Sequence, residues 1–238
     1  MIPKTIHYCW FGGKALPPEV KECIRSWEKH CEDYRIVRWD ETNFDISLHS
    51  FCKKAYEDNA WAFVSDYARL KIIYDFGGIY LDTDVEVLKC FDPLLAHDCF
   101  LGVQQEGHVC ATGLGFGAVA GHPVIYEMLK KYDEIEYNAS SKKDLACPIL
   151  NTEVLVSLGY SYCDSPQAVC GANIYPPLYF DPISPGSKGK NLLCDKTYSI
   201  HHYSNSWGTK KDILRRRFIR LIGSERVSKI KEVLHGRS

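Results

Sequence analysis

Strand-like and helix-like hydrophobic patterns alternate along most of the chain. Residues 5–10 form a short apolar run of the buried type, and residues 34–39 alternate between apolar and polar side chains, so both segments are predicted strands. Between them, apolar residues recur at helical spacing after Pro17 and Pro18, whose fixed φ suits the first turn of a helix. This order predicts an α/β fold with a mostly parallel sheet covered by helices.

The same patterns predict the elements that follow. Residues 59–74 have helical spacing, and Gly77 and Gly78 end that helix before a strand that finishes at Asp82. The remaining predicted elements are a short helix at 51–56, strands at 85–88, 100–103 and 115–119, a helix at 124–132, a helix capped by Asn151 or Thr152, and loops with short strands over 161–191. Ligands bind such sheets beyond the carboxyl ends of the strands, so we expect Trp10 and Asp82 near one site.

Two carboxylates, Asp82 and Asp84, stand two positions apart at the end of a predicted strand. Residues at this spacing point to the same side of a strand, so both side chains can converge on one ligand. Hard carboxylate oxygens suit Mg²⁺ or Mn²⁺, and these ions prefer sites that are shared with a phosphate. An isolated D-x-D is more often a pair of solvated turn carboxylates, so the metal-site interpretation depends on its neighbours.

The preceding helix supplies those neighbours in Ser65, Asp66 and Arg69. Asp66 and Arg69 are three positions apart and share one helix face, which by itself predicts a surface ion pair. The alternative places this face beside Asp82 and Asp84. There Arg69 can contact phosphate or sugar oxygens and Asp66 can accept sugar hydroxyls, as a nucleotide-sugar site requires.

In these two segments the chain resembles glycosyltransferase family 32, which includes yeast mannosyltransferase-like and bacterial capsular-polysaccharide enzymes. It is also similar to the glucosylating domain of the large clostridial toxins. The segments read SDYAR at 65–69 and YDFGGIYLDTD at 74–84. The resemblance continues in IPKTIHYCWFGG at 2–13, in residues 113–124 with Gly121-His122-Pro123, in Cys147-Pro148 where the family often has Gly-Pro, and in HHYSNSW at 201–207. It therefore covers roughly residues 1–208 and implies a single GT-A type, Rossmann-like domain with a mixed, mostly parallel central sheet.

The resemblance implies a metal site built from Asp84, His202 and Asn205. Two aspartates cannot fill six positions around Mn²⁺, and a distant imidazole commonly completes such a shell. If the closing segment is extended, His202 faces the metal and His201 points the opposite way. A histidine in an aromatic, polar loop is more often structural, and that interpretation stays open.

The resemblance also assigns the donor site. Asp66 and Asp82 would hold sugar and ribose hydroxyls, and Arg69 would stabilise charge on the leaving diphosphate. The other implied contacts are stacking of Trp10 on the nucleobase, base or ribose contacts around Trp61 and Ser65, a donor-sugar contact from Asn151, and a diphosphate contact from the indole of Trp207. Taken without the resemblance, an aromatic residue such as Trp10 at a strand end is more often a core residue, and Asn151 is more often a plain helix cap.

Composition and charge add few constraints. The net charge is −1, so nothing global points to nucleic acid as a partner. The 11 cysteines are odd in number and have no C-x-x-C spacing, which favours reduced core thiols over a zinc or disulfide framework. With no signal-peptide pattern and no apolar run of membrane-spanning length, the expected location is cytoplasmic, at the inner face of the membrane if the tail binds lipid.

The expected function is metal-dependent, retaining transfer of a hexose from a nucleotide sugar to a glycan or lipid-linked saccharide, as in capsular polysaccharide biosynthesis. UDP-galactose or UDP-glucose is the favoured donor, and UDP-N-acetylhexosamine and GDP-mannose stay open. The alternatives are a toxin-like glycosyltransferase that modifies protein and a non-catalytic nucleotide-sugar-binding module. A metal-dependent phosphohydrolase would need a further His/Asp set for a second metal, which we do not find in the sequence.

Residues 209–238 form a separate segment in this interpretation, a basic and amphipathic helical tail. Its cationic residues include Lys210, Lys211, Arg215, Arg216, Arg217, Arg220, Lys229 and Lys231, and its apolar residues include Ile213, Leu214, Phe218 and Leu221. Such a helix can lie on an anionic membrane, where lipid-linked acceptors reside. A solvated helix that packs on the domain is the alternative.

We expect the whole chain to co-sediment with anionic vesicles and a form without residues 209–238 to stay in the supernatant. The physical reason is attraction between the basic residues and anionic headgroups, which added salt weakens. Neutral vesicles serve as the control, and equal sedimentation of both forms would contradict membrane binding by the tail.

Overall fold

The computed structural model describes residues 1–141, 144–184 and 189–204, which form a mixed β-sheet packed between helices. The strands are β1 (Thr5–Cys9), β2 (Arg35–Trp39), β3 (Gly78–Tyr80), β4 (Val85–Val87), β5 (Cys99–Gly102), β6 (Phe116–Ala118), β7 (Gln167–Val169), β8 (Ala172–Tyr175) and β9 (Ser199–His201). The helices are α1 (Pro18–His30), α2 (Ser50–Glu57), α3 (Trp61–Phe76), α4 (Pro123–Asp133) and α5 (Cys147–Ser157). Asn205, Trp207 and the tail at 209–238 lie outside the described residues.

The main sheet confirms the predicted fold class. Within the described residues its strand order is β2-β1-β3-β6-β5-β8-β7. Strand β1 pairs in parallel with β2 and β3, and β5 pairs in parallel with β8, whereas β6 and β7 run antiparallel to their neighbours. Five of these seven strands therefore share one direction. A separate antiparallel ribbon joins β4 to β9 and carries the closing motif back to the D-x-D segment.

Helix α3 passes through the middle of the molecule rather than along its surface. Nine of its residues are buried, and its apolar positions pack in the same core as residues of α2, α4 and α5. A helix that is apolar on nearly all sides is typical of a buried position. The polar residues that this helix does carry are therefore held inside the protein, next to the sheet.

Helix α5 begins earlier than the sequence predicts. Its N-cap is Ala146, which makes no side-chain capping hydrogen bond, and Pro148 lies in the first turn. Proline is well suited to that position, so it opens the helix there. The prediction that Asn151 or Thr152 caps the helix is therefore wrong, and Asn151 lies inside the helix with 1% of its surface exposed.

The turn between α3 and β3 fixes where the D-x-D segment leaves the sheet. Gly77 has φ of +65°, a conformation that glycine adopts without strain. Its carbonyl lies 3.1 Å from Nε2 of His7, and Nδ1 of the same imidazole is 3.0 Å from Nε1 of Trp39, which donates to it. His7 must therefore carry its proton on Nε2, and it joins this turn to β1 and β2.

No helix in the described parts of the chain has both the length and the apolar character needed to cross a bilayer.

The buried state of His7 makes the stability of the fold depend on pH. Burial lowers the pKa of His7 from 6.5 to about 4, against the opposing effect of the Gly77 carbonyl. Between these values the unfolded chain binds a proton that the folded chain does not. The free energy of unfolding should therefore decrease by up to about 3 kcal/mol as the pH falls through this window.

Denaturant titrations of wild type and His7→Gln at several pH values measure this contribution. The variant should be less stable at neutral pH, because Gln cannot reproduce both hydrogen bonds, and should lose less stability on acidification. An unchanged dependence on pH would assign the titration to another group.

Candidate active site

A cavity of about 160 Å³ lies beyond the carboxyl ends of β1 and β3. Its lining residues come from both predicted motifs and from the closing segment: Cys9, Ala62, Ser65, Arg69, Tyr80, Asp82, Thr83, Asp84, His201 and Tyr203. A more open depression of about 500 Å³ lies by α2 and residues 136–139, and it contains none of the predicted site residues. The smaller cavity is therefore the candidate active site.

Arg69 joins the two predicted motifs through a buried ion-pair network. Its Nη2 lies 3.1 Å from Oδ1 of Asp66 and 3.1 Å from Oδ1 of Asp82, and its Nε donates to the carbonyl of Ser65 at 3.1 Å. The guanidinium also lies over the ring of Tyr80, 5.0 Å from its centroid. The simple interpretation of a surface ion pair is therefore wrong, since Arg69 is 4% exposed.

Burial sets the protonation of these two carboxyl groups. Loss of solvent raises the pKa of Asp66 to about 6, although Arg69 opposes the rise and Asp82 adds to it. The pKa of Asp82 is also raised, chiefly by burial and against the effect of Arg69. One arginine thus partly neutralises two carboxylates, and the group retains an excess of negative charge when both are ionised.

The orientation of Asp82 depends on its immediate surroundings. The hydroxyl of Tyr80 donates to Asp82 at 3.1 Å, from the position two residues earlier. The backbone N–H of Asp82 lies 3.3 Å from the carbonyl of Gly113. A Cβ atom at Gly113 would collide with the carboxylate of Asp82 and would lie 3.3 Å from Nη1 of Arg69, so a side chain there would displace this carboxylate.

Asp84 is held by the closing segment. Its Oδ1 lies 3.0 Å from Nε2 of His201, and its Oδ2 accepts from the N–H of Ser204 at 2.8 Å and from the hydroxyl at 3.2 Å. Burial would raise the pKa of Asp84, but His201 and Ser204 outweigh it and hold the pKa well below its usual range. Asp84 is therefore ionised whenever the closing segment is in place.

The structure reverses the expected orientation of the two histidines. His201, not His202, points to the D-x-D segment, whereas Nε2 of His202 lies 2.8 Å from Oε2 of Glu86. The pairing of Val85 with His201 in the ribbon of β4 and β9 sets this direction. The choice of His202 as the metal ligand is corrected accordingly, and Asn205 lies outside the described residues.

The donor set at this point fits a divalent cation. One ligand atom from each of Asp82, Asp84 and His201 lies within 4.8 Å of the others. Carboxylate oxygens and an imidazole nitrogen suit Mn²⁺ or Mg²⁺. Burial would lower the pKa of His201, but Asp84 and then Asp82 raise it above its ordinary value. The surroundings therefore favour positive charge at this position.

Asn151 lies in a buried polar cluster behind Arg69. Its Nδ2 donates to the hydroxyl of Thr112 at 3.2 Å, while its Oδ1 is buried without a hydrogen-bond partner in the described structure. The thiol of Cys147 lies 3.7 Å from the same hydroxyl and 3.6 Å from Nη1 of Arg69. Burial raises the pKa of Cys147 far above its usual range, so the thiol is neutral. Cys147 thus fills space where the related motif often has glycine.

The two tryptophans expected near the base behave differently. Trp10 is 1% exposed, and its indole N–H donates to the carbonyl of Lys14 at 2.6 Å, so the core interpretation holds and the expected exposed indole is not found. Trp61 is half-buried and packs against the backbone of Gly12, where an added Cβ would lie 2.8 Å from the indole. Ser65 is 5% exposed and lines the cavity.

Sequence reasoning missed several residues of this site. Tyr80 stands two positions before Asp82, a spacing that places both side chains on one side of an extended chain. This signal was present in the motif. Gly113, His201, Tyr203 and Ser204 lie in segments that the resemblance covers, but no local pattern assigns them to the site. Their positions depend on how distant segments pair in space.

The chain is similar to known glycosyltransferases. Residues 17–101 match the family model described as "Glycosyltransferase sugar-binding region containing DXD motif". Inositol phosphoceramide mannosyltransferase 3 of Schizosaccharomyces pombe is 26% identical over 145 residues, which cover 58% of this chain and 39% of that protein. Inositol phosphoceramide mannosyltransferase 1 of the same yeast is 25% identical over 152 residues, 59% of this chain and 46% of that protein.

A third relative is the mannosyl phosphorylinositol ceramide synthase SUR1 of Saccharomyces cerevisiae, which is 27% identical over 138 residues, 55% of this chain and 34% of that protein. The chain thus matches less than half the length of these curated relatives. Among solved structures, PaToxG glycosyltransferase superposes with a TM-score of 0.51 at 20% identity, over 66% of this chain and 68% of that one. This likeness concerns the fold.

The predicted GT-A type fold and the resemblance to glycosyltransferase family 32 are therefore confirmed, and residues 17–101 are the part of the chain that matches the model of DXD-containing glycosyltransferase sugar-binding regions.

Proposed function

We propose that the chain is a metal-dependent, retaining glycosyltransferase that moves a hexose from a nucleotide sugar to a glycan or lipid-linked saccharide. The observation that carries this proposal is that Asp82 belongs to two groups at once. It pairs with Arg69 beside Asp66, and it contributes a ligand atom to the group with Asp84 and His201. The ion pair of Asp82 and Arg69, which would contact the sugar, and a metal site for the diphosphate would then share one cavity.

The proposed roles follow from the contacts. Asp84 and His201, with Asp82, would hold Mn²⁺ or Mg²⁺, and the bound ion supplies positive charge for the diphosphate leaving group. Asp66 accepts hydrogen bonds from hydroxyls of the donor sugar. Arg69 keeps Asp66 and Asp82 at their positions and adds positive charge beside the site.

Retention of configuration is what the resemblance to glycosyltransferase family 32 implies, and the contacts of the carboxylates bear only on how retention would be achieved. Asp66 and Asp82 are held by Arg69, and Asp84 is held by His201 and Ser204, so none of the three is placed as a free nucleophile. We therefore favour attack from the same face, in which the departing diphosphate accepts the proton of the acceptor hydroxyl.

For the donor and the acceptor we propose chemical classes, a nucleotide sugar and a glycan or lipid-linked saccharide, rather than single compounds. UDP-galactose and UDP-glucose remain candidates, and the names of the yeast relatives bring a mannose donor, GDP-mannose, to the same rank. Those names also specify a ceramide-based acceptor, which supports the lipid-linked branch of the proposal. We place the reaction in the cytoplasm at the inner face of the membrane, where an acceptor of this kind is accessible.

Slow hydrolysis of the donor tests the proposal without a known acceptor. UDP-galactose, UDP-glucose, UDP-N-acetylglucosamine and GDP-mannose are incubated with the protein and Mn²⁺, and free nucleoside diphosphate is measured. We expect one donor to be hydrolysed, with a loss of about a hundredfold or more in Asp84→Asn, because a charged ligand is removed. Binding of a donor without turnover would favour a non-catalytic module, and wild type that neither hydrolyses nor binds any donor would contradict the proposed donor site.

The neighbouring histidines provide a matched pair for the same assay. His201→Gln should lower hydrolysis and raise the Mn²⁺ concentration needed for half-maximal rate. His202→Gln removes the contact to Glu86, which lies outside the group of Asp82, Asp84 and His201, and should stay close to wild type. The opposite pattern would restore His202 as the ligand.

Gly113→Ala should lower hydrolysis by about a hundredfold, because the added methyl group displaces the carboxylate of Asp82 from its position by Arg69. Gly159→Ala is the control for lost stability, since Gly159 has φ of +98° and no atom within 4 Å of an added Cβ. Thermal unfolding and donor hydrolysis are measured on both variants. Equal activity of the two would show that the tight approach of Gly113 has no role in the site.

A further inference from the structure

A short hairpin-like loop stands beside the candidate active site. Residues 103–110, here called the platform loop, follow β5 and are closed by a bridge between Val103 and Cys110. Strands β3 and β5 both pair antiparallel with β6 and therefore run in the same direction. The platform loop consequently leaves the sheet at the edge where the cavity lies.

The first side of the platform loop is anchored to a wall of the cavity. The N–H of Gln105 donates to Oδ2 of Asp181 at 2.7 Å, and its side-chain amide donates to the carbonyl of Asp181 at 2.9 Å. Asp181 is fully buried and faces Tyr203, which lines the cavity. This side of the loop is thus fixed through one residue to the site.

The second side is anchored as well. The N–H of Cys110 donates to the hydroxyl of Thr152 on α5 at 2.8 Å. Three residues later, the carbonyl of Gly113 contacts the N–H of Asp82. His108 is five residues before Gly113, so its Cα lies within roughly 18 Å of that of Gly113. The tip of the loop is therefore within reach of a ligand that extends out of the cavity.

The tip presents a flat aromatic surface to solvent. The imidazole of His108 stacks on the phenol ring of Tyr162 with ring centroids 3.6 Å apart and an interplanar angle of 2°. His108 is exposed and has φ of +51°, an uncommon conformation for a residue other than glycine. Tyr162 packs partly against the core, and its hydroxyl donates to Asp164 at 2.6 Å. The exposed imidazole face thus has a rigid support.

The surroundings of this face select the class of ligand. Glu106 lies on the same loop and Asp164 beside the stack, and both are exposed carboxylates that can accept hydroxyl hydrogens. They disfavour an anionic ligand such as a nucleotide. The weakly positive C–H bonds on one face of a pyranose complement the negative face of an aromatic ring. A neutral sugar ring with hydroxyls at its edge matches both features.

We propose that the stacked pair of His108 and Tyr162 is a saccharide-binding platform, on which a sugar ring of the acceptor rests while its accepting hydroxyl extends toward the cavity. This inference rests on the proposed function and names a site for its acceptor. The ring on the platform is not the ring that carries the accepting hydroxyl. It is a further sugar ring of the same acceptor. The platform therefore contributes to recognition of an acceptor with more than one sugar.

Saturation-transfer NMR with lactose, maltose and mannobiose tests the platform directly. We expect at least one of these disaccharides to receive saturation on its ring C–H protons from the wild-type protein. His108→Ala should weaken that binding about tenfold, equivalent to about 1.4 kcal/mol. His108→Phe keeps a flat ring on Tyr162 and should retain most of the binding.

A second exposed aromatic pair provides the control. Tyr126 stands at the start of α4, beyond the opposite edge of the sheet, is 46% exposed and packs on Tyr74 with centroids 5.7 Å apart. Tyr126→Ala should leave disaccharide binding unchanged. Wild-type binding that survives in His108→Ala, or no binding of any of the disaccharides, would overturn the platform.

Donor hydrolysis by the wild-type protein separates the two proposals. Hydrolysis without disaccharide binding would leave the proposed function standing and remove the platform. Disaccharide binding that depends on His108, in a protein that hydrolyses no donor, would support the platform and remove the proposed function.

Discussion

The buried guanidinium of Arg69 is the interaction on which the rest of the site depends. It lies between Asp66 and Asp82 at 3.1 Å from each, and so joins the central helix to the segment that leaves β3. A buried carboxylate without a partner costs several kcal/mol, so neither aspartate is stable in this position without the arginine. This pairing helps to set the direction of Asp82, which also contributes to the candidate metal group with Asp84 and His201. The same contacts explain why the residue opposite, Gly113, has no side chain.

Local patterns in the sequence were sufficient for most of the framework. Prolines at the starts of helices, the Gly77-Gly78 turn and the apolar runs located the elements near the site, because each of these signals acts within a few residues. The D-x-D spacing and the helical spacing of Asp66 and Arg69 likewise placed three carboxylates and one arginine close together. Even the late start of α5 in the prediction has a local explanation, since Pro148 competes with Asn151 as the start signal.

What the sequence did not provide is register between distant segments. The choice between His201 and His202 depends on which residue of β9 stands opposite Val85, and no local pattern encodes that pairing. The exposed indole that the resemblance implies for Trp10 is not found for a related reason: the burial of Trp10 depends on segments that cover the end of β1. The need for glycine at position 113 becomes evident only in the structure, where the carboxylate of Asp82 lies against the backbone of Gly113.

The ribbon of β4 and β9 affects the order in which parts of the structure form during folding. Ser204 and Asp84 are 120 positions apart in the chain, yet they bond directly. Closing so long a loop carries an entropic cost that must be met by contacts formed at the same time, so we expect this ribbon to close late in folding. A nascent chain on the ribosome displays Asp82 and Asp84 long before His201 emerges. We therefore expect the candidate active site to be completed only in a molecule whose core has already formed.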